Sequence, residues 1–271
     1  MAGYSVYVIA YNDEPNMRAC LESVAWADEL IVVDSHSTDR TAAIAREFTD
    51  KVYQVEFNGF GRLRNQAVAH CSHEWVFSLD SDERMTPELR EEIQRLLDQR
   101  PEADAYFVPR KNYFLGRWIE HCGWYPDYRQ PQLFRKNRFR YREELVHESF
   151  ECDGPVAHLT QPALQYPFRD LDHYIQKQNR YSTLMAERMV EQGRRFSILQ
   201  LFTHPFGAFA KMYVQRRGFL DGMPGLILSG LYAYYTVMKY AKFWELTDGP
   251  TSTRSSAPRA ASSGNRPGDA A

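Results

Sequence analysis

The sequence predicts an α/β protein built on a mainly parallel sheet, and three observations carry that prediction. Over roughly the first hundred residues, four β-branched and aromatic runs alternate with stretches of helical spacing. Three of those runs end in carboxylates. The chain is 271 residues long and 44% hydrophobic, enough for one large core with an appendage.

YSVYVIAY (Tyr4–Tyr11) ends at NDEPN and reads as a buried strand followed by a turn. In the next stretch Met17, Cys20, Leu21 and Val24 share one helical face. ELIVVD (Glu29–Asp34) is a second buried strand, and Ser37, Thr38 and Asp39 are candidate caps for the Ala-rich helix after it. DKVYQVEF is a short third strand, GRLRNQAVAHC opens a helix, and EWVFSLD is the fourth strand. TPELREEIQRLLDQ follows as a helix with Pro87 in its first turn.

From about Ala103 the chain turns rich in aromatics and arginine, which predicts strands and loops flanking the sheet. LDHYIQKQNRYSTLMAERMVEQ reads as a helix with Tyr174, Ile175, Tyr181, Leu184 and Met185 as its apolar candidates. The Ser/Ala/Pro/Gly-rich tail, 248–271, is expected to be disordered.

The formal net charge of −2 excludes a global basic field, and no recognisable DNA- or RNA-binding pattern occurs, so no nucleic-acid partner is expected. Cys20, Cys71, Cys122 and Cys152 form no C-x-x-C pair, which argues against a zinc site or redox dithiol and for cytosolic free thiols. The N-terminal stretch has no basic n-region and too short an apolar run for an export signal, so a cytoplasmic location is expected.

In a parallel sheet, Asp13/Glu14, Asp34 and Asp80/Asp82 all arrive at the carboxyl edge, where such sheets bind ligands. An extended chain points residues i and i+2 to one side, so Asp80 and Asp82 can face one ligand. Two hard oxygen donors suit Mg2+ or Mn2+, ions that keep waters and take substrate phosphates as further ligands. The plain alternative is that these carboxylates cap the helix at Thr86-Pro87 or face solvent.

The ordered set YVIAYNDE, ELIVVDSHSTDRT, GRLRNQA and FSLDSDE resembles the family 2 glycosyltransferases of GT-A fold. QLFRKNRFRYREELVHESF resembles the acceptor half of a bacterial subgroup that includes lipopolysaccharide-core β-glucosyltransferases. The resemblance implies that Tyr11 and Glu14 cradle the nucleotide base and that Asp34 holds the uracil or ribose. It implies that Arg62, Arg64 and Asn65 lie over base and diphosphate, that Asp80 contacts ribose or sugar, and that Asp82 is the principal ligand of a divalent metal, Mg2+ or Mn2+. The chemistry agrees, since arginine forks match phosphate oxygens and a carboxylate accepts from ribose hydroxyls. Viewed singly, the arginines also fit a solvated helix face and Asp34 a loop cap.

Inverting sugar transfer also needs a base for the acceptor hydroxyl, and the candidates are Asp127, Glu143, Glu144, His147 and Glu148. VHE resembles the subgroup's His-Glu pair, which makes Glu148 the expected base and His147 an orienting or phosphate-contacting neighbour. The alternative pairs Glu148 with a nearby arginine. Gln132 stands where relatives often carry arginine, so Arg129 and Arg135 are the candidate acceptor-binding residues.

The resulting plan is a nucleotide-sugar-binding half over 1–100, an acceptor-binding half over 101–195, an amphipathic helical segment over 196–247 and the tail. Phe196–Leu246 is apolar, aromatic and edged with lysine and arginine, but prolines and lysines interrupt it. It reads as helices at a membrane interface rather than a span, placing the protein peripherally on the inner membrane. The other reading packs these helices on the catalytic domain or in a dimer contact. The expected activity is transfer from a nucleotide sugar, such as UDP-glucose, to a lipid-linked glycan such as lipopolysaccharide core. A polyprenyl phosphate or another polysaccharide are the alternative acceptors. A haloacid-dehalogenase-type phosphatase is disfavoured by Arg84, where that class wants threonine. A non-catalytic nucleotide-binding membrane adaptor is the third class.

Overall fold

The computed structural model describes residues 3–143 and 149–249. It contains two compact units. One holds the described residues up to Asn112 and those of Pro126–Pro167; the other holds Tyr113–Tyr125 and the described residues from Phe168.

The first unit runs β1 (Tyr4–Ala10), α1 (Glu14–Glu22), β2 (Glu29–Asp34), α2 (Thr41–Ala45), β3 (Val52–Gln54), α3 (Phe60–His70), β4 (Trp75–Asp80), β5 (Glu83–Arg84), α4 (Pro87–Asp98) and β6 (Ala105–Phe107). β7 (Arg110–Phe114) leads into the second unit, where it pairs with β8 (Arg117–Trp118). The chain then returns as β9 (Pro131–Arg135), β10 (Phe139–Tyr141), β11 (Phe150–Cys152), β12 (Val156–His158) and β13 (Ala163–Gln165).

Seven strands form the main sheet in the order β12-β6-β9-β4-β1-β2-β3. β4, β1, β2 and β3 are parallel, as the alternating pattern predicts, and β9 enters antiparallel between β4 and β6. β1 and β2 are buried at every residue because both faces of the sheet are covered. One face takes Met17, Cys20 and Leu21 of α1 with Leu89, Ile93 and Leu97 of α4; the other takes Leu63 and Ala67 of α3 with Phe139 and Tyr141.

α4 starts as its sequence predicts: the Thr86 hydroxyl accepts from Leu89 N–H at 3.1 Å and Pro87 fills the first turn. α2 is shorter than its Ala-rich sequence suggests and ends at Ala45. None of the three candidate caps is the N-cap residue, which is Arg40 and makes no side-chain cap bond; Asp39, one residue earlier, accepts from Thr41 N–H at 2.9 Å, and Ser37 is drawn into the preceding loop.

α3 lies directly on the β10 strand. A Cβ at Gly61 would meet the Arg142 carbonyl oxygen at 2.0 Å, so only glycine allows this approach. Asn65 secures the same contact with both ends of its amide, donating to Tyr141 O at 2.8 Å and accepting from Tyr141 N–H at 3.1 Å.

At the amino edge of the sheet, the buried Glu29 carboxylate accepts from Ser72 N–H (2.7 Å), Ser72 Oγ (2.8 Å), Lys51 Nζ (2.5 Å) and the Ser5 hydroxyl. Burial acts to raise its pKa, but these hydrogen bonds, Lys51 first, hold it down to about 2. A lowered carboxyl pKa stabilises the fold above its unfolded value and loses that contribution as pH falls through the folded one. Glu29→Gln is therefore expected to lower stability by about 2–3 kcal/mol at pH 7, with the penalty fading between about pH 4.5 and 2. Urea unfolding across that window checks it; a penalty independent of pH would contradict the assignment.

The second unit is helical: α5 (Leu171–Glu191), α6 (Gln200–Ala210), a π turn (Lys211–Gln215), a 3-10 turn (Gly218–Asp221) and α7 (Gly222–Thr247). Among the described residues no helix is long and apolar enough to cross a membrane. α5 forms where its pattern predicts, but it buries Tyr174, Lys177, Ser182, Ala186 and Met189, and leaves Ile175 and Leu184 exposed. The polar part of that face explains the difference: Lys242 of α7 donates to Asn179 O and Oδ1, Ser182 Oγ and Thr183 Oγ1 at 2.6–2.8 Å. α7 is likewise packed rather than bare, with Leu228, Thr236, Tyr240 and Phe243 buried.

Candidate active site

The carboxyl edge of the parallel strands carries three loops that bond to one another. Asn12 N–H donates to Ser37 Oγ (2.8 Å), Thr38 N–H to Asn12 Oδ1 (2.7 Å), and Asp13 N–H to Thr41 Oγ1 (2.9 Å). Ser81 Oγ donates to Asp13 Oδ2 at 2.8 Å and ties in the third loop. Asn12 and His36 take positive φ, 47° and 58°, so the chain turns sharply after β1 and β2 through a conformation that side chains disfavour.

Tyr11 follows β1 directly and Glu14 opens α1, where its carboxylate accepts from Arg40 N–H at 3.2 Å. Asp34 is fully buried at the end of β2. Its Oδ2 accepts from Ser37 N–H (3.0 Å) and Gln54 Nε2 (2.7 Å), and its Oδ1 from the Ser37 hydroxyl. Asp34 thus holds the β2 loop, the capping role its sequence also allows, with acceptor capacity left on Oδ1.

β4 delivers Asp80. Arg64, buried on α3, reaches it with Nη2 at 2.9 Å from Oδ1 and 3.1 Å from Oδ2, while its Nη1 donates to Ser78 Oγ at 3.0 Å. After Asp80 the chain turns at Ser81–Asp82, so the extended-strand reason for pairing Asp80 with Asp82 does not hold. Asp82 is buried, with Gln165 Nε2 3.4 Å from both of its carboxylate oxygens.

Glu83 answers why so many carboxylates crowd this turn. It folds back so that Oε2 accepts from Asp80 N–H at 3.1 Å and Gln132 Nε2 at 2.8 Å, while Oε1 pairs with Arg110. Burial pushes the Glu83 carboxyl up, with Arg110 opposing and Asp80 and Asp82 adding to the rise. Burial also works against the Arg110 charge, but Glu83 more than offsets it and the guanidinium pKa stands above its ordinary value.

Arg64, Asp80, Arg110, Gln132 and Tyr141 line a cleft together with Phe60, Arg129 and Gln130. Arg62 and Asn65 are engaged with the β10 stem instead: Arg62 Nε lies 3.3 Å from Glu143, and Asn65 is committed to Tyr141. Glu143 is a poor base, since the Asn65 and Arg62 contacts lower its pKa against a small opposing effect of burial. Arg129 pairs with Asp127 at 3.0 Å beside the cleft.

Arg135 requires a correction. β9 pairs it with Trp75 at the start of β4, where it reaches Glu74 and Asp104 (2.9 Å). That is the edge opposite Asp80, about 16 Å away along a six-residue strand. The structure does not bring it to the cleft. Glu144, His147 and Glu148 lie outside the described residues. The stem around them is placed, with Arg142 N–H donating to Ser149 O at 2.8 Å and Tyr141 opposite Phe150. Among the described residues no three His, Cys, Asp or Glu side chains form a ready metal site.

Sequence reasoning missed Arg110, Gln130, Gln132 and Gln165 as site residues. Gln132 carried a signal as a departure from the arginine of relatives; Arg110 carried none, because its meaning depends on Glu83 across the sheet.

The mainly parallel sheet with its site at the carboxyl edge agrees with the fold class that the motif series predicts. The profile of Glycosyl transferase family 2 matches residues 5–155, and the chain belongs to that family. It is 31% identical to the lipopolysaccharide core biosynthesis glycosyltransferase LpsC of Rhizobium meliloti (strain 1021), over 89% of this chain and 92% of that protein. It is 26% identical to an uncharacterized glycosyltransferase of Rickettsia felis over 90% of both chains. Among solved structures it is similar to S. aureus TarS 1-349 in complex with UDP-GlcNAc, at 17% identity and a TM-score of 0.48, over 95% of this chain and 93% of that one. Family membership sets the phosphatase alternative aside.

Proposed function

We propose that the chain is an inverting, metal-dependent glycosyltransferase that moves a sugar from a nucleotide donor, UDP-glucose or a close analogue, to a lipid-linked glycan such as lipopolysaccharide core. It would work in the cytoplasm, peripherally on the inner membrane. The observation that carries the reading is the arrangement of Arg64 and Asp80 over one cleft, with Asp82 buried on the next turn. The name of LpsC supports the acceptor class, and the motif series supports the uridine donor.

The residues fit a divalent cation. Asp80 Oδ1 makes no well-formed hydrogen bond although Arg64 Nη2 lies 2.9 Å away, and Asp80 and Asp82 are hard oxygen donors of the kind Mg2+ and Mn2+ take. Asp82, with Asp80 beside it, would hold the ion, which supplies electrostatic stabilisation of the departing diphosphate. Arg64 orients Asp80 and, lining the cleft, would meet phosphate oxygens of the donor. Glu83 and Arg110 fix the backbone of the turn from beneath. Asp34 and Gln54 would shape the nucleoside end, with Tyr11 on the adjoining loop and Glu14 at the start of α1. Glu148 would take the acceptor proton, with His147 orienting it, and Arg129 would meet the acceptor.

Thermal stabilisation by UDP, GDP, CMP and TDP, with and without Mn2+, tests the proposal. UDP is expected to give the largest shift, and only with the metal. No shift with any nucleotide would overturn the reading. A shift without sugar transfer to any acceptor would favour the adaptor.

A further inference from the structure

The second unit carries a surface that its own packing does not use. Leu199, Phe202, Phe206, Phe209 and Tyr213 follow one another at spacings of three, four, three and four, which places them on one face of a helix. Its first three residues are bare, Leu199 66%, Phe202 69% and Phe206 75% exposed, while Phe209 and Tyr213 are half-buried. The face continues through ring contacts, Phe209 stacked on Tyr213 at 5.2 Å and Tyr213 edge-on to Phe219 at 6.3 Å, to the exposed Leu220 and Met223. The helix buries Pro205 instead, and the following turn buries Met212.

The stretch of chain that carries this face is basic, between Glu191 and Glu245. Between residues 192 and 242 the chain carries Arg194, Arg195, Lys211, Arg216, Arg217, Lys239 and Lys242 against a single acid, Asp221. Asp221 is buried and accepts from the N–H groups of Glu120 and His121 and pairs with His121 at 3.0 Å, so it does not offset the exposed cations. Arg194, Arg195, Lys211 and Arg217 are exposed, and none makes an ion pair among the described residues. The chain as a whole, at −2, has no such bias.

We infer that this face is a lipid-insertion surface for an anionic bilayer, formed by the aromatic side chains of α6 and the two turns after it, and not by the length of α7. Exposed phenylalanine, leucine and methionine beside unpaired basic groups match a helix lying shallowly at the headgroup level of anionic lipid. A second copy of this chain would bring the same cations together, which disfavours a dimer through this face. The inference deepens the proposed function by naming how the enzyme meets a lipid-linked acceptor, and it rests on that reading only for its purpose.

Cosedimentation of the full chain with phosphatidylcholine vesicles and with phosphatidylcholine–phosphatidylglycerol vesicles tests it. Binding is expected only to the anionic vesicles and is expected to weaken with added salt. Phe202→Ser with Phe206→Ser should abolish it, and Lys211→Gln with Arg217→Gln should weaken it by roughly tenfold or more, at ~1 kcal/mol per basic group. The UDP thermal shift, read on the same samples, should be unchanged, which separates loss of this surface from loss of the fold. Failure of the wild type to bind anionic vesicles, or binding that survives Phe202→Ser with Phe206→Ser, would overturn the inference. So would a dimer in sedimentation velocity that those two substitutions dissolve. Vesicle binding without any nucleotide response would keep this inference and sink the donor reading.

Discussion

Asp82→Asn is expected to reduce sugar transfer by about 10²–10³-fold and to remove the metal dependence of the UDP thermal shift. The substitution keeps the size of the side chain and an acceptor for Gln165 Nε2, now 3.4 Å from both carboxylate oxygens. It deletes the charge and one hard oxygen, which is what a divalent ion recognises. Fold stability should change little, because the backbone bond from Tyr166 N–H to Asp82 O, 2.8 Å, does not involve the side chain. Glu148→Gln offers the contrasting case: the UDP shift should remain while transfer falls by about 10²-fold or more, since a base acts on the acceptor and not on the donor. Parallel melting curves and initial rates distinguish the two. An Asp82→Asn enzyme with undiminished Mn2+-dependent binding would move the metal assignment away from this turn.

Arg110→Met is expected to destabilise the protein by about 3–5 kcal/mol, the scale for stranding one member of a buried ion pair. Arg110 and Glu83 are both almost entirely enclosed, and Arg110 lines the cleft. Without it the Glu83 carboxylate keeps only the Asp80 N–H and Gln132 bonds, and Asp80 and Asp82 repel it. The carboxyl pKa would rise further. An acid with a raised pKa costs stability above that value, so lowering the pH should recover part of the loss. Combining Glu83→Gln with Arg110→Met should recover more of it, because the glutamine amide can still accept from Asp80 N–H. Urea unfolding of the single and double variants measures the difference. Equal stability of the two would mean that Arg110 matters through packing alone.

Much of the first hundred residues was legible because its signals are local. Period-two apolar runs, helix caps and carboxylates at strand ends follow one another within roughly the first hundred residues, and the parallel core forms where they predict. The chain beyond about residue 100 was harder to read. β9 slips antiparallel into a parallel sheet and carries Gln132 inward toward Glu83 while sending Arg135 to the far edge. Pairing partners of that kind lie across the sheet, 49 residues apart for Gln132 and Glu83, beyond any local pattern. The α5 face was misjudged for a related reason. An apolar count favours Ile175 and Leu184, but one lysine on α7 finds four oxygens on the face of Asn179 and Ser182.

The contact of α3 with β10 has a mechanical consequence. Arg64 and Asn65 are neighbours on one helix: the first grips Asp80, and the second grips the backbone of the stem that leads into residues 144–148. With no side chain at Gly61 to act as a spacer, helix and stem have little room to slide. A ligand that pulls on Arg64 therefore loads the stem as well, and by reciprocity whatever engages the stem feeds back on the affinity at Arg64. Donor and acceptor would be coupled through this lever, with a stiffness set by one glycine and one amide.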